Sequence, residues 1–144
     1  MGKQINITRR EFQNSYKSHY RLYKAANTET SPKSRRLLLF YSVECGLKSL
    51  IMKNTGKNTY EELRKYSEEQ GKRIHGHDLK AMTQEVGIEH QYPLKRIRIE
   101  KEGPCGPERY NELWRYGASV EDEEEEIKAE KTLEKIAEWI EQRL

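Results

Sequence analysis

The stretch Arg35-Arg-Leu-Leu-Leu-Phe-Tyr-Ser-Val-Glu-Cys-Gly-Leu-Lys-Ser-Leu-Ile-Met52 decides the fold of this 144-residue chain. It is the one long apolar run in a very polar sequence. Leu37, Leu38, Phe40, Tyr41, Val43, Cys45, Leu47, Leu50 and Ile51 go nearly all the way round a helix. That pattern predicts a central helix covered on several sides, not an amphipathic one lying on a surface. Ser31 followed by Pro32 gives it a start, and Asn54 with Gly56 gives it a stop. The run is too short and too interrupted to cross a bilayer. Within it Glu44 and Lys48 stand four apart, in the favourable order for a helical ion pair, on a helix with little surface left to expose.

Working outward, Thr8 with Glu11 has the spacing of a capping box. It opens a helix whose Phe12, Tyr16, His19, Tyr20, Tyr23 and Ala26 form an aromatic face suited to covering the central one. Residues 27–33 read as a short polar connection between antiparallel neighbours. Thr59 with Glu62 repeats the capping spacing and starts a short helix that ends by Gly71. Asp78 sits in the first turn of another, with Leu79, Met82 and Val86 as its apolar stripe and Gly87 as its stop. Periodicity then fails from His90 to Pro107. Lys95-Arg96-Ile97-Arg98-Ile99 reads as extended, with Arg96 and Arg98 on one side, and Gly103-Pro104-Cys105-Gly106-Pro107 reads as a rigid turn. A last amphipathic helix begins near Ser119, which can cap with Asp122. It carries Val120, Ile127, Leu133, Ile136, Ala137, Ile140 and Leu144 on its core face. The expected fold class is all-α: a compact antiparallel bundle of about five helices, one domain over 1–144, with a basic irregular or extended segment before the last helix.

Composition bounds the core and the partners. Only 34% of residues are hydrophobic, and nine tyrosines stand against two phenylalanines, so many rings are expected half-buried with their hydroxyls at the rim. Net charge is +3, yet Glu121 to Glu126 is an unbroken acidic run, which leaves the rest of the chain distinctly basic. Such segregation fits a polyanionic or acidic partner, although solvated charge alone accounts for most basic surfaces. The acidic run itself reads as the dipole-favoured start of the last helix, or as a counterpart to the basic segment in the same chain. With two cysteines far apart, no signal peptide and no membrane span, the expected location is cytoplasmic. Cys45 reads as a small core residue.

Three constellations carry possible chemistry. Glu44 and Lys48 form a core polar pair, lining a pocket or fixing helix register. His75 and His77 stand two apart with Asp78 adjacent, a pattern that could hold a metal if a third and fourth ligand arrived from elsewhere; a structural turn is the stronger reading, and no metal or cofactor is expected. The segment from Arg96 to Tyr116, with Arg96, Arg98, Arg109, Trp114, Arg115 and Tyr116, supplies cations and rings for phosphate contact and base stacking. Trp114 can equally be a core anchor.

Tyr41-Ser-Val-Glu44-Cys-Gly-Leu47-Lys48-Ser-Leu50 followed downstream by Gly76-His77-Asp78-Leu79 resembles the HEPN superfamily of helical nucleotide-binding domains, and Leu113-Trp114-Arg115-Tyr116-Gly117 resembles an Arg-Tyr element of some members. The resemblance spans roughly residues 8–144. It implies a place among ribonuclease toxins, toxin–antitoxin and phage-defence components, or partners of minimal nucleotidyltransferases. The nucleases of that superfamily share an arginine followed by a histidine four to six residues on. Here Arg109 and Arg115 have no histidine after them, and Arg73 and Arg64 are wrongly spaced from His75 and His77. The expectation is therefore a non-catalytic HEPN-like module, an accessory subunit of a bacterial defence or toxin–antitoxin assembly that binds a nucleotide, RNA or a protein partner. Two alternatives stand beside it. One is a divergent metal-independent ribonuclease pairing His75 or His77 with Arg109 or Arg115, and the other is a structural helical adaptor that forms a homodimer.

Overall fold

The computed structural model describes residues 5–26 and 29–144, and over these the chain is mostly helical with one small sheet. The order is α1 (Arg9–Ala25), α2 (Pro32–Thr55), α3 (Tyr60–Glu69), α4 (Leu79–Glu85), β1 (Ile97–Ile99), β2 (Gly103–Cys105), a single 3-10 turn (Pro107–Arg109), α5 (Tyr110–Tyr116) and α6 (Glu123–Glu141). Of the polar connection expected over 27–33, residues 27 and 28 lie outside the described ones. No helix among the described residues is long and apolar enough to cross a membrane.

The central helix is α2, and α1, α4, α5 and α6 all pack on it. Local chemistry fixes its ends. The Ser31 side chain accepts from the Ser34 amide, Pro32 occupies the first turn, and Gly56 closes the helix at φ 70°, a left-handed conformation that costs glycine little. Leu39, Phe40, Val43, Leu47, Ile51 and Met52 are buried on different sides of it. At Gly46 three helices converge: a Cβ there would stand 2.8 Å from Tyr16 Cδ1 on α1 and 3.0 Å from Ile140 Cδ1 on α6. The absent side chain is what lets α1 and α6 approach α2 together, and Tyr16 then donates to the Ala137 carbonyl at 2.6 Å.

The capping box at Thr8 forms in both directions, with the Thr8 amide donating to Glu11 and the Glu11 amide to Thr8 Oγ1. Thr59 caps α3, and the two starts are clipped together where Tyr60 N–H donates to the Ile7 carbonyl at 2.7 Å. Asp78 caps α4 from just outside it, accepting from the Ala81 amide, where the sequence pattern places it in the first turn.

Three local features differ from the sequence reading. The run 103–107 is not simply a turn: Gly103–Cys105 pairs antiparallel with β1, with Ile97 opposite Cys105 and Arg98 opposite Pro104. A two-stranded ribbon tolerates Pro104 because a proline with no N–H can occupy an edge. The reversal falls instead on Lys101 at φ 66° and Gly103 at φ 88°. Second, 110–116 is a helix rather than a loop, held by Tyr110, Leu113 and Trp114, which are buried. Third, α6 is capped by Asp122, accepting from the Glu124 amide, while Ser119 lies in a segment that extends the sheet. There Glu100 N–H donates to the Ser119 carbonyl and Glu121 N–H to the Arg98 carbonyl, each at 2.9 Å.

A buried ionic network ties α2 to α6. Arg36 Nε donates to Glu130 at 2.9 Å and its Nη1 stands 3.4 Å from Glu126. Glu126 also accepts from Trp114 Nε1 at 2.9 Å, Lys33 reaches it at 3.4 Å, and Tyr23 donates to Glu130. Glu126, in the acidic run, is 2% exposed and therefore an interior residue, not a solvated one.

Candidate phosphate-binding groove

The basic segment and α6 together frame a groove of about 440 Å³. One wall is Pro93, Lys95 and Arg96, just ahead of β1, and the other is Lys128, Lys131, Thr132 and Lys135 on α6, with Ala129 and Glu125 completing the lining. The wall ahead of β1 is held from several directions. Ile97 and Ile99 are buried, Tyr110 donates its hydroxyl to the Lys95 carbonyl, and the Arg98 amide donates to Glu125 at 3.1 Å. Alternation along the extended backbone then leaves Arg96 and Arg98 in solvent. On α6 Ala129, Leu133, Ile136 and Ile140 are buried, and Lys128, Lys131 and Lys135, at steps of three and four, run in a stripe along the exposed side.

Charge balance inside the groove is one-sided. Lys95, Arg96, Lys128, Lys131 and Lys135 make no ion pair with a described residue, and the one acid in the lining, Glu125, is engaged by Arg98 at 3.3 Å. Five cations at close quarters repel one another and raise the local potential that an anion would meet. Within the acidic run, Glu126 is engaged by Arg36, Lys33 and Trp114, Glu121 and Glu125 face Arg98, Glu123 lies 4.0 Å from Arg36, and Asp122 caps α6.

The residues singled out from sequence divide accordingly. Arg96 lies in the groove. Arg98 is paired with Glu125 and Glu121, and Arg109 donates to Glu112 at 2.8 Å. Trp114 is 2% exposed, between Phe40 and Tyr110, so of its two readings the structure takes the core anchor. Arg115 stacks over the ring of Tyr116, which is 72% exposed at the end of α5. Arg109 and Tyr116 line a separate small depression with Cys105 and Leu113. Lys128, Lys131 and Lys135 were missed by the sequence reading, which attended to the acids and apolar positions of the last helix; their helical spacing was the available signal.

A second polar constellation sits where the loop before α4 crosses α2. Glu44 accepts from Lys48 Nζ at 3.1 Å and from His77 Nδ1 at 2.6 Å, with the Lys48 ammonium also 5.7 Å from the centre of the Phe12 ring. Glu44 and Lys48 are 5% and 4% exposed, whereas His77 is open to solvent. A carboxylate only accepts, so the Nδ1 of His77 carries the proton and its Nε2 is left unprotonated in the neutral ring. His75 instead meets Ser67 Oγ at 2.8 Å, and burial holds its pKa below the ordinary histidine value. Ser67 Oγ also donates to the Lys72 carbonyl and accepts from the Ile74 amide, so His75 belongs to the packing of this turn. Among the described residues no three His, Cys, Asp or Glu side chains converge as a metal ion would require. Cys45 and Cys105 are free thiols, and burial raises both, Cys105 to about 11, which leaves neither activated as a nucleophile. No hydrogen bond, ion pair or ring contact joins His75 or His77 to Arg109 or Arg115 among the described residues.

Compared with family models, curated proteins and solved structures, the chain matches none.

Proposed function

We propose that this chain is a non-catalytic, HEPN-like binding module, its helices forming one antiparallel bundle, and that it holds RNA in the groove between β1 and α6. The observation that supports this is the set of five unpaired cations facing one another across that groove, with its one acid already committed to Arg98. Lysine and arginine on a rigid frame attract phosphate and release its counterions, which is the main source of affinity in sequence-independent nucleic-acid binding. On the strength of the sequence resemblance, such a module serves as an accessory subunit in a defence or toxin–antitoxin assembly.

Fluorescence anisotropy with a labelled single-stranded RNA tests the reading. Lys128→Glu with Lys131→Glu should weaken binding by at least about tenfold and flatten the dependence of log Kd on log salt by roughly two phosphate contacts. Arg109→Ala should have a much smaller effect, because its guanidinium pairs with Glu112 outside the groove lining. Equal losses from the two variants, or no loss from the lysine pair, would place the RNA elsewhere.

A second reading, a ribonuclease centred on His77, has one observation in its favour: Glu44 orients the imidazole as a carboxylate orients a general base, with Nε2 available to take a proton from a ribose hydroxyl. Among the described residues no cation pairs with the imidazole to stabilise the phosphorane, and Lys48 is buried on the far oxygen of Glu44. The purified protein should therefore leave single-stranded and structured RNA intact, in EDTA and in divalent metal alike. Cleavage that disappears in His77→Ala would replace the binding-module reading with this one.

A further inference from the structure

We infer that the groove takes a single phosphate chain by its backbone alone, reading neither base nor sugar; this rests on the proposed RNA-binding role of the same groove. Cations stand on both walls, with Lys95 and Arg96 facing Lys128, Lys131 and Lys135. A chain lying along α6 therefore meets positive charge on either side. From Lys128 to Lys135 the helix rises roughly 10 Å at about 1.5 Å per residue. That stripe is long enough to meet more than one phosphate of a chain lying along it.

Among the described lining residues, few groups favour a base or a sugar over phosphate. The lining contains no aromatic ring to serve as a stacking platform, and the candidate platform Trp114 lies on the buried face of α5. It contains no asparagine or glutamine to read an adenine edge, and its lysines and arginine, which can meet a guanine edge, are drawn more strongly to the full charge of phosphate. Its one hydroxyl, on Thr132, donates back to the Lys128 carbonyl at 3.1 Å, and the carboxylate of Glu125 already accepts from Arg98. These two, the non-cationic polar side chains of the lining, are thus each already engaged within the protein. What remains is five ammonium and guanidinium groups whose common complement is a row of phosphates.

Linear inorganic polyphosphate, which has neither base nor sugar, is the discriminating probe. With labelled oligouridylate bound to the full chain, polyphosphate of equal phosphate number should compete with a midpoint within about threefold of unlabelled oligouridylate. Lys128→Ala with Lys131→Ala, checked for an unchanged thermal midpoint, should weaken both competitors by the same factor. If oligouridylate binds through these lysines but polyphosphate fails to displace it at saturating excess, sugar or base is being read. The backbone-only inference then falls while the RNA-binding role stands. If neither polymer binds, or both bind unaltered by the lysine substitutions, the role of the groove fails as well.

Discussion

Replacing Trp114 with alanine should lower the thermal unfolding midpoint by roughly 10 °C, corresponding to about 4 kcal/mol for a chain of this size. The ring lies 5.0 Å from Tyr110 and 6.5 Å from Phe40 between centroids, and it is 2% exposed, so truncation opens a cavity that α2 and α5 cannot close without losing contact with each other. The same change removes the Nε1 donor that Glu126 receives at 2.9 Å. Arg36 and Lys33 still face that carboxylate, which limits the electrostatic part of the loss and leaves cavity formation as the larger part. Under conditions where the variant remains folded, its groove should bind RNA as the wild type does. An unchanged midpoint with lost binding would instead make Trp114 a stacking platform and contradict its placement in the core.

Lys48→Ala should cost on the order of 3 kcal/mol in a denaturant melt. Lys48 and Glu44 lie in the interior, so removing the ammonium leaves a carboxylate whose remaining hydrogen-bond partner is His77. A surface pair of the same spacing would lose only a few tenths of a kcal/mol. The double replacement Glu44→Gln with Lys48→Met removes both charges and should be milder than Lys48→Ala alone. If Lys48→Ala costs no more than a surface pair, the buried constellation that includes His77 is not formed.

Much of the helical frame could be read from residues. The apolar run marked α2 because no other segment had enough hydrophobic surface to sit at the centre, and Ser31, Pro32 and Gly56 carry backbone signals that act without tertiary help. The capping box at Thr8 and the cap at Thr59 are equally local. The small sheet and α5 were not legible for the opposite reason. Gly103-Pro104-Cys105 has the composition of a turn and becomes a strand only because β1 and residues 119–121 offer partners. Seven residues of α5 are too few to show helical periodicity, and α2 supplies the surface that stabilises them. The acidic run was ambiguous in the same way. Only the fold shows that Glu126 turns inward to Arg36 and Trp114 while Glu125 turns to Arg98.

The candidate groove was half legible. Arg96 could be singled out from alternation in its own segment, but its opposite wall lies more than thirty residues along the chain, on a helix whose beginning is acidic. Lys128, Lys131 and Lys135 look like an ordinary solvated stripe until the fold sets them across from Lys95 and Arg96. Arg98, of the same type and in the same segment, is withdrawn from the site by contact with Glu125, which sequence spacing does not disclose.

The most direct measurement is the mapping of an added short oligouridylate on the isotope-labelled protein by amide proton–nitrogen correlation spectra. The signals that move on titration should belong to residues 95–98 and 125–135, shift in fast exchange and revert with added salt, while those of 75–77 and 109–116 stay in place. Shifts confined to His75, Gly76, His77 and their neighbours, or to the Arg109–Tyr116 segment, with residues 128–135 unmoved, would contradict it.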